Sequence, residues 1–212
     1  MKIGVVAHNS RSSMAFALQE SVGAEFLSLD DGTIGAVANH LFVWQHIGAM
    51  VGENEWGIVL EDDAVPVSDF RQQAQAALDA APQELVSLYL GRQRPADWVD
   101  RVSQAVTAAS RSDVSWIIGD TMLHAVGIAL RGRELIQSML HVTTSWRQPM
   151  DEAITMWCRH YGHIVAFTWP SLVDHADQET VFVHPDGETR EPGRVAYKTG
   201  TRDEWTARAV VL

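Results

Sequence analysis

Ile58, Val59 and Leu60 form an apolar run that Trp56-Gly57 opens and three consecutive carboxylates, Glu61, Asp62 and Asp63, close. A short continuous run bounded in this way reads as a strand buried on both faces, the kind found in parallel sheets. Pro66 follows and forbids a regular ladder just beyond. Open α/β sheets bind ligands outside the carboxyl ends of their strands, which is where this run of charge falls. Alternation along a strand predicts Glu61 and Asp63 on one side and Asp62 on the other. Neighbouring carboxylates raise one another's pKa unless a cation stands between them. Hard oxygen ligands suit Mg²⁺ or Mn²⁺, which commonly reach a protein through one or two carboxylates plus substrate phosphates. Two readings follow: a divalent-metal site that holds a diphosphate, with Glu61, Asp62 and Asp63 as candidate ligands, or a solvated acidic turn.

The remaining chain alternates strand and helix patterns. Residues 2–7 read as a first strand, His8 to Ser13 as a polar loop, and the following residues as a helix with Ser12 or Ser13 as N-cap. Strand, polar loop and helix open a nucleotide-binding α/β unit, where a loop and backbone N–H groups meet a ligand. His8, Asn9 and Arg11 are therefore candidate contacts to a base, ribose or diphosphate, and an ordinary exposed loop is the other reading. Neither a Gly-x-Gly-x-x-Gly nor a Walker sequence is present. Residues 25–29 read as a second strand and 33–47 as a helix carrying Asn39 and His40. Beyond the acidic run, 71–81 read as a helix, 84–90 as a strand, and 94–112 as a polar, mixed stretch that suits a lid or acceptor loop. Strands are expected over 121–130, with His124 at the entrance, and over 163–168. Helices are expected over 131–140 and from Pro149 onward. Asp151 and Glu152 in a first helical turn have a structural explanation, because the helix dipole favours negative charge there.

At 212 residues with 46% hydrophobic and 20% charged residues, the chain suits one globular domain. The expected division is a domain over 1–178 and a tail over 179–212 that packs on the domain or on a partner. A formal net charge of −11 argues against gripping nucleic acid by charge. In the tail, Arg190, Arg194, Lys198, Arg202 and Arg208 are interleaved with Glu188, Glu191, Asp203 and Glu204. No apolar run approaches a membrane span, no signal-peptide pattern opens the chain, and Cys158 is the single cysteine. A cytoplasmic protein is expected.

Trp56-Gly57-Ile58-Val59-Leu60-Glu61-Asp62-Asp63-Ala64 resembles the acidic motif of family twenty-five glycosyltransferases, the lipopolysaccharide-biosynthesis type. Gly32-Thr33-Ile34-Gly35-Ala36-Val37-Ala38-Asn39-His40 resembles the family's Gly-x-Ile-Gly-Cys-x-x-Ser-His segment, with Ala36 and Asn39 where Cys and Ser are usual. Strand 84–90, the segment at 121–130, Pro149-Met150-Asp151 and Pro170-Ser171-Leu172-Val173 are similar to further family segments in the same order. The strict Asp-x-Asp signature is absent; Glu61 and Asp63 stand at that spacing, which leaves open which two carboxylates touch a metal.

The resemblance implies a GT-A-like (Rossmann-like) α/β fold, a mixed and mainly parallel sheet flanked by helices. It implies a metal-dependent transfer of a sugar from a nucleotide-sugar donor to an acceptor hydroxyl, with inversion and with Mn²⁺ or Mg²⁺. Asn39 and His40 would face the donor pocket, Asp151 would be the base, His124 and Glu152 would lie on the acceptor side, and His175 would complete the metal shell. The chain's compactness is similar to bacteriophage-type members, whose acceptor is a glycan, a protein or a modified nucleobase in DNA. The competing expectations are another metal-dependent nucleotide or phosphate-ester enzyme and a non-catalytic nucleotide-sugar-binding module.

Overall fold

The computed structural model of the chain describes residues 1–93, 95–145, 148–179, 181 and 192–212. In chain order its strands are β1 (Lys2–His8), β2 (Phe26–Asp30), β3 (Trp56–Glu61), β4 (Ala64–Pro66), β5 (Leu85–Ser87), β6 (Trp116–Gly119), β7 (Gly127–Arg131), β8 (Val165–Thr168), β9 (Val173–His175) and β10 (Ala209–Val211). The helices are α1 (Ser12–Val22), α2 (Ala36–Met50), α3 (Phe70–Asp79), α4 (Val99–Ser110), α5 (Arg133–Thr143) and α6 (Met150–Tyr161). Eight strands form one sheet in the order β10-β6-β8-β5-β7-β3-β1-β2, and β4 pairs with β9 in a separate ladder. β1 runs parallel to β2 and β3, β5 to β8, and β6 to β10, whereas β7 is antiparallel to β3 and β5, and β6 to β8. This is the mixed α/β sheet that the sequence predicts.

Both faces of the sheet are covered, which explains the unbroken apolar runs. Ile3, Val5, Ile58 and Leu60 pack with Ala15 and Leu18 of α1 and Ala74 and Leu78 of α3. Val6 and Val59 point to the other face, with Val43 and Ile47 of α2, Ile136 of α5 and Ile154 and Trp157 of α6. α2 presses close enough that a Cβ on Gly4 would lie 2.6 Å from Val43 Cγ1, and one on Gly57 2.7 Å from Ile47 Cγ2. These two strand glycines are there because no side chain fits beneath the helix.

The chain leaves β1 through α1 to β2 on one flank, then returns through α2 to β3 on the other. The crevice between the carboxyl ends of β1 and β3 is thus a topological switch point, the general ligand site of such sheets. The loop from His8 to Arg11 lines one side of it, and the turn at Asp62 and Asp63 lines the other.

Several local expectations need correction. α1 has Arg11 at its N-cap position with no side-chain cap, so neither Ser12 nor Ser13 serves. α2 starts at Ala36, because the Asp30 carboxylate accepts from the N–H groups of Ile34 and Gly35 and holds the preceding residues in a turn. Within the stretch from Arg94 to Ser112, Arg94 lies outside the described residues. The rest is no lid: it forms α4, whose Val102, Ala105 and Ala109 are buried in the core. His124 precedes β7 rather than opening it, and β8 is followed by two more strands.

Residues 192–212 lie on the domain. β10 joins the sheet beside β6, Trp205 packs against Trp116 with ring centroids 5.7 Å apart, and Ala196 bridges to Gly91. Glu188, Arg190 and Glu191 lie outside the described residues.

Candidate active site

The β4–β9 ladder assembles the site. Ala64 pairs with His175, and the Ala176 N–H donates to the Asp63 carbonyl at 2.8 Å. A segment more than a hundred residues downstream is thereby fixed beside the acidic turn.

The three carboxylates meet different partners. Glu61, the last residue of β3, points to the α2 face, where His40 Nε2 donates to its Oε1 at 3.0 Å. Asp62 points to the opposite face. The His8 N–H donates to its Oδ2 at 2.8 Å and Arg11 Nη1 to its Oδ1 at 2.9 Å. Beyond the end of β3, Asp63 shares Arg11 with Asp62. There Arg11 Nη1 lies 2.7 Å from Asp63 Oδ2, and His175 Nε2 lies 3.4 Å from the same oxygen. Glu61 is near enough to Asp63 for its charge to act on that carboxyl, so the acidic residues form one cluster.

The three carboxyl groups are in electrostatically distinct settings. Burial alone raises Glu61, but the His40 hydrogen bond and the nearby Arg11 charge bring it below the usual carboxylate range. Asp63 goes up, first from burial and then from the neighbouring Glu61 charge. Burial opposes the Arg11 charge, yet Asp62 and Asp63 outweigh it and raise the guanidinium. Asp63 Oδ1 is buried without a hydrogen-bond partner, and an orphaned carboxylate oxygen is costly unless something binds it.

That orphan fits a divalent cation, as do the hard oxygen donors around it. Among the described residues, no three His, Cys, Asp or Glu side chains are grouped so that they alone would hold a metal. Asp63 would offer its orphaned oxygen to such a cation together with substrate phosphate oxygens, in keeping with Mg²⁺ sites built on one or two carboxylates. His175 is less suited as it stands. The Asp177 N–H donates to its Nδ1 at 2.8 Å, which leaves the ring proton on Nε2, facing Asp63.

Asn39 and His40 are buried, not open to the crevice. Asn39 Nδ2 donates to the Ala7 carbonyl at 3.0 Å and ties α2 to the end of β1, while His40 braces Glu61. His8 and Asn9 line the loop, with the Ser10 amide and hydroxyl both meeting His8 Nδ1.

Asp151 lies within electrostatic reach of Glu61. It lies in the first turn of α6, its Oδ1 accepts from the Glu152 N–H at 3.0 Å, and its pKa is pushed up to about 7 by burial, with Glu61 and then Glu152 adding to the effect. Glu152 itself is exposed. His124 accepts from the Gly91 N–H through Nε2 at 3.2 Å, and burial drives its pKa down to about 3, so the ring is neutral.

Two neighbours were not singled out in the sequence. Tyr89 packs edge-on against His124 at 4.9 Å, lies 6.3 Å from His175, and donates to the Arg194 carbonyl. Asp177, with a left-handed φ of 52°, accepts from Arg194 Nε at 3.1 Å. The alternation of 84–90 makes Tyr89 look like an outward strand residue, and nothing marks Asp177. Two shallow depressions, one bounded by Glu84 and His163 and the other by Met1 and Glu55, both with Arg131, lie at the opposite ends of the strands, away from this chemistry.

Residues 6–115 match glycosyltransferase family 25 (LPS biosynthesis protein), a span that holds the end of β1, all of α2 and the acidic turn. The protein is a glycosyltransferase. It belongs to family 25. No curated protein matches the chain. Among solved structures, the crystal structure of A197 from STIV is similar at 10% identity, covering 98% of this chain and 97% of that one with a TM-score of 0.46. The inositol-1-phosphate CTP transferase from T. maritima is similar at 6% identity, over 79% of this chain and 66% of that one, with a TM-score of 0.40. Among the described residues no helix is long and apolar enough to cross a membrane.

Proposed function

We propose that this glycosyltransferase is metal-dependent, uses Mn²⁺ or Mg²⁺, and transfers a sugar from a nucleotide-sugar donor to an acceptor hydroxyl with inversion, in the cytoplasm. The observation that carries this reading is a carboxyl group near neutrality, Asp151 in the first turn of α6, within electrostatic reach of Glu61 at the carboxyl end of β3. A general base works best when its pKa lies near the working pH.

In this reading Asp63 binds the cation, Asp62 keeps the turn and Arg11 in register, and His40 orients Glu61. Asp63 would hold a cation, whose Lewis acidity would supply stabilisation of the leaving diphosphate. Asp151 takes the acceptor's hydroxyl proton while the acceptor oxygen bonds to the anomeric carbon. The bond from that carbon to the diphosphate breaks with its electron pair, and a nucleoside diphosphate departs. The exposed Glu152 and the neutral His124 border the side from which the acceptor enters.

Product analysis tests the chemistry. Incubation with a panel of nucleotide sugars and Mn²⁺ should release an intact nucleoside diphosphate in step with sugar transfer. Release of a nucleoside monophosphate or of inorganic phosphate as the primary product would replace glycosyl transfer by another phosphate-ester reaction.

A further inference from the structure

Arg11 stands where a cation is needed. A single guanidinium nitrogen, Nη1, is shared between Asp62 Oδ1 at 2.9 Å and Asp63 Oδ2 at 2.7 Å, in a side chain only 12% exposed. The two bonds are unequal in what surrounds them. Asp62 is also tied by the His8 N–H, so both of its oxygens are satisfied within the protein. Among the described residues, Asp63 has only Arg11 and the longer 3.4 Å approach of His175 on Oδ2, and its buried Oδ1 has no partner. The Asp62 half of the arrangement is fixed; the Asp63 half is open to exchange.

We propose that Arg11 is a displaceable counter-cation, resting on Asp63 while the donor site is empty and moving onto the diphosphate when the metal–diphosphate unit takes Asp63. This rests on the metal-dependent reading above and adds to it a coupling between the two ligands. Metal alone competes with Arg11 for Asp63 and binds poorly. Metal with diphosphate offers the guanidinium a new bidentate acceptor, for which its planar fork is suited, in exchange for Asp63 and for the Glu179 carbonyl to which Nη2 donates. The two ligands therefore assist each other, and the coupling passes through one side chain. His8, through its backbone N–H, keeps Asp62 in place throughout.

The test is a calorimetric titration of the full chain with Mn²⁺ alone and with preformed manganese–pyrophosphate, on wild type, Arg11→Met and Arg11→Lys. Removing the charge beside Asp63 should tighten binding of Mn²⁺ alone at least roughly tenfold in Arg11→Met. The same substitution should weaken binding of the manganese–pyrophosphate complex, and Arg11→Lys should shift both affinities in the same directions by less. Opposite signs for the two ligands are the signature. If Arg11→Met weakens both ligands, or leaves Mn²⁺ affinity unchanged, Arg11 is a structural ion pair and the inference fails alone. If no variant binds Mn²⁺ in either form, the metal-dependent reading and the inference fail together. Should Arg11→Met be unstable, its melting temperature supplies the readout: Mn²⁺ should raise it by more than it raises that of wild type, and an equal or smaller rise overturns the inference.

Discussion

Replacing Asp151 by Asn should make the protein more stable and less active at the same time. The Asp151 carboxyl titrates near 7 in the fold because burial and the Glu61 charge disfavour its ionised form. Unfolded, an aspartate titrates near 4. Between those values the unfolded chain has released a proton that the folded chain still holds, so the wild type loses stability as pH rises from about 4 to about 7. The full three-unit difference corresponds to about 4 kcal/mol. Asp151 is partly exposed, and solvent screening reduces the effect to about 1–2 kcal/mol. Loss of a negative charge from the first turn of α6 takes back about 0.3–1 kcal/mol. At pH 8 the net gain for Asp151→Asn is about 1 kcal/mol, or about 2–4 °C in melting temperature for a chain of this size. At pH 4 the gain should vanish. Melting curves of both proteins at pH 4, 6 and 8 measure this directly. Turnover should fall about 10²- to 10⁴-fold in the variant, as loss of a general base does. In the wild type it should rise with pH and level off above about 7. A variant destabilised equally at all three pH values would refute the reasoning and leave Asp151 as a helix N-terminal charge.

The adjacent aspartates should behave differently. Asp62→Ala leaves the His8 N–H and Arg11 without their partner and should cost about 1–3 kcal/mol in denaturant melts. Asp63→Ala should cost less stability yet remove Mn²⁺-dependent ligand binding, as read by calorimetry. His40→Ala removes the donor that holds Glu61 and leaves a buried void, at a cost of about 2–4 kcal/mol in the same melts. Gly57→Ala places a Cβ against Ile47 and Ile136 and should cost about 1–3 kcal/mol through overpacking.

The central strand and its carboxylates were legible because burial on both faces leaves a signature within six residues. The helix at α2 was legible too, except at its start, where Asp30 rather than any helix-forming residue sets the boundary. α4 was missed because its buried face rests on small residues, Ala105 and Ala109 with Val102, which a polar surround conceals. The sharing of Arg11 between Asp62 and Asp63 was not legible, because it joins the loop after β1 to the turn after β3. His40 was noticed for its identity, but its role as the brace of Glu61 depends on the fold carrying α2 across β3. Tyr89, Asp177 and the bond from the Tyr89 hydroxyl to the Arg194 carbonyl are contacts between distant segments, and no local pattern encodes them.

The most direct test of the account is a thermal-shift screen of nucleotide sugars with and without Mn²⁺, on wild type and Asp63→Ala. A ligand present at a hundred times its Kd adds about 2.7 kcal/mol to the folded state, which for a chain of this size is a rise of about 5–10 °C. The account predicts such a rise for at least one nucleotide sugar, only when Mn²⁺ is present, and its loss in Asp63→Ala. A nucleotide sugar that stabilises both proteins equally, with or without Mn²⁺, would contradict it.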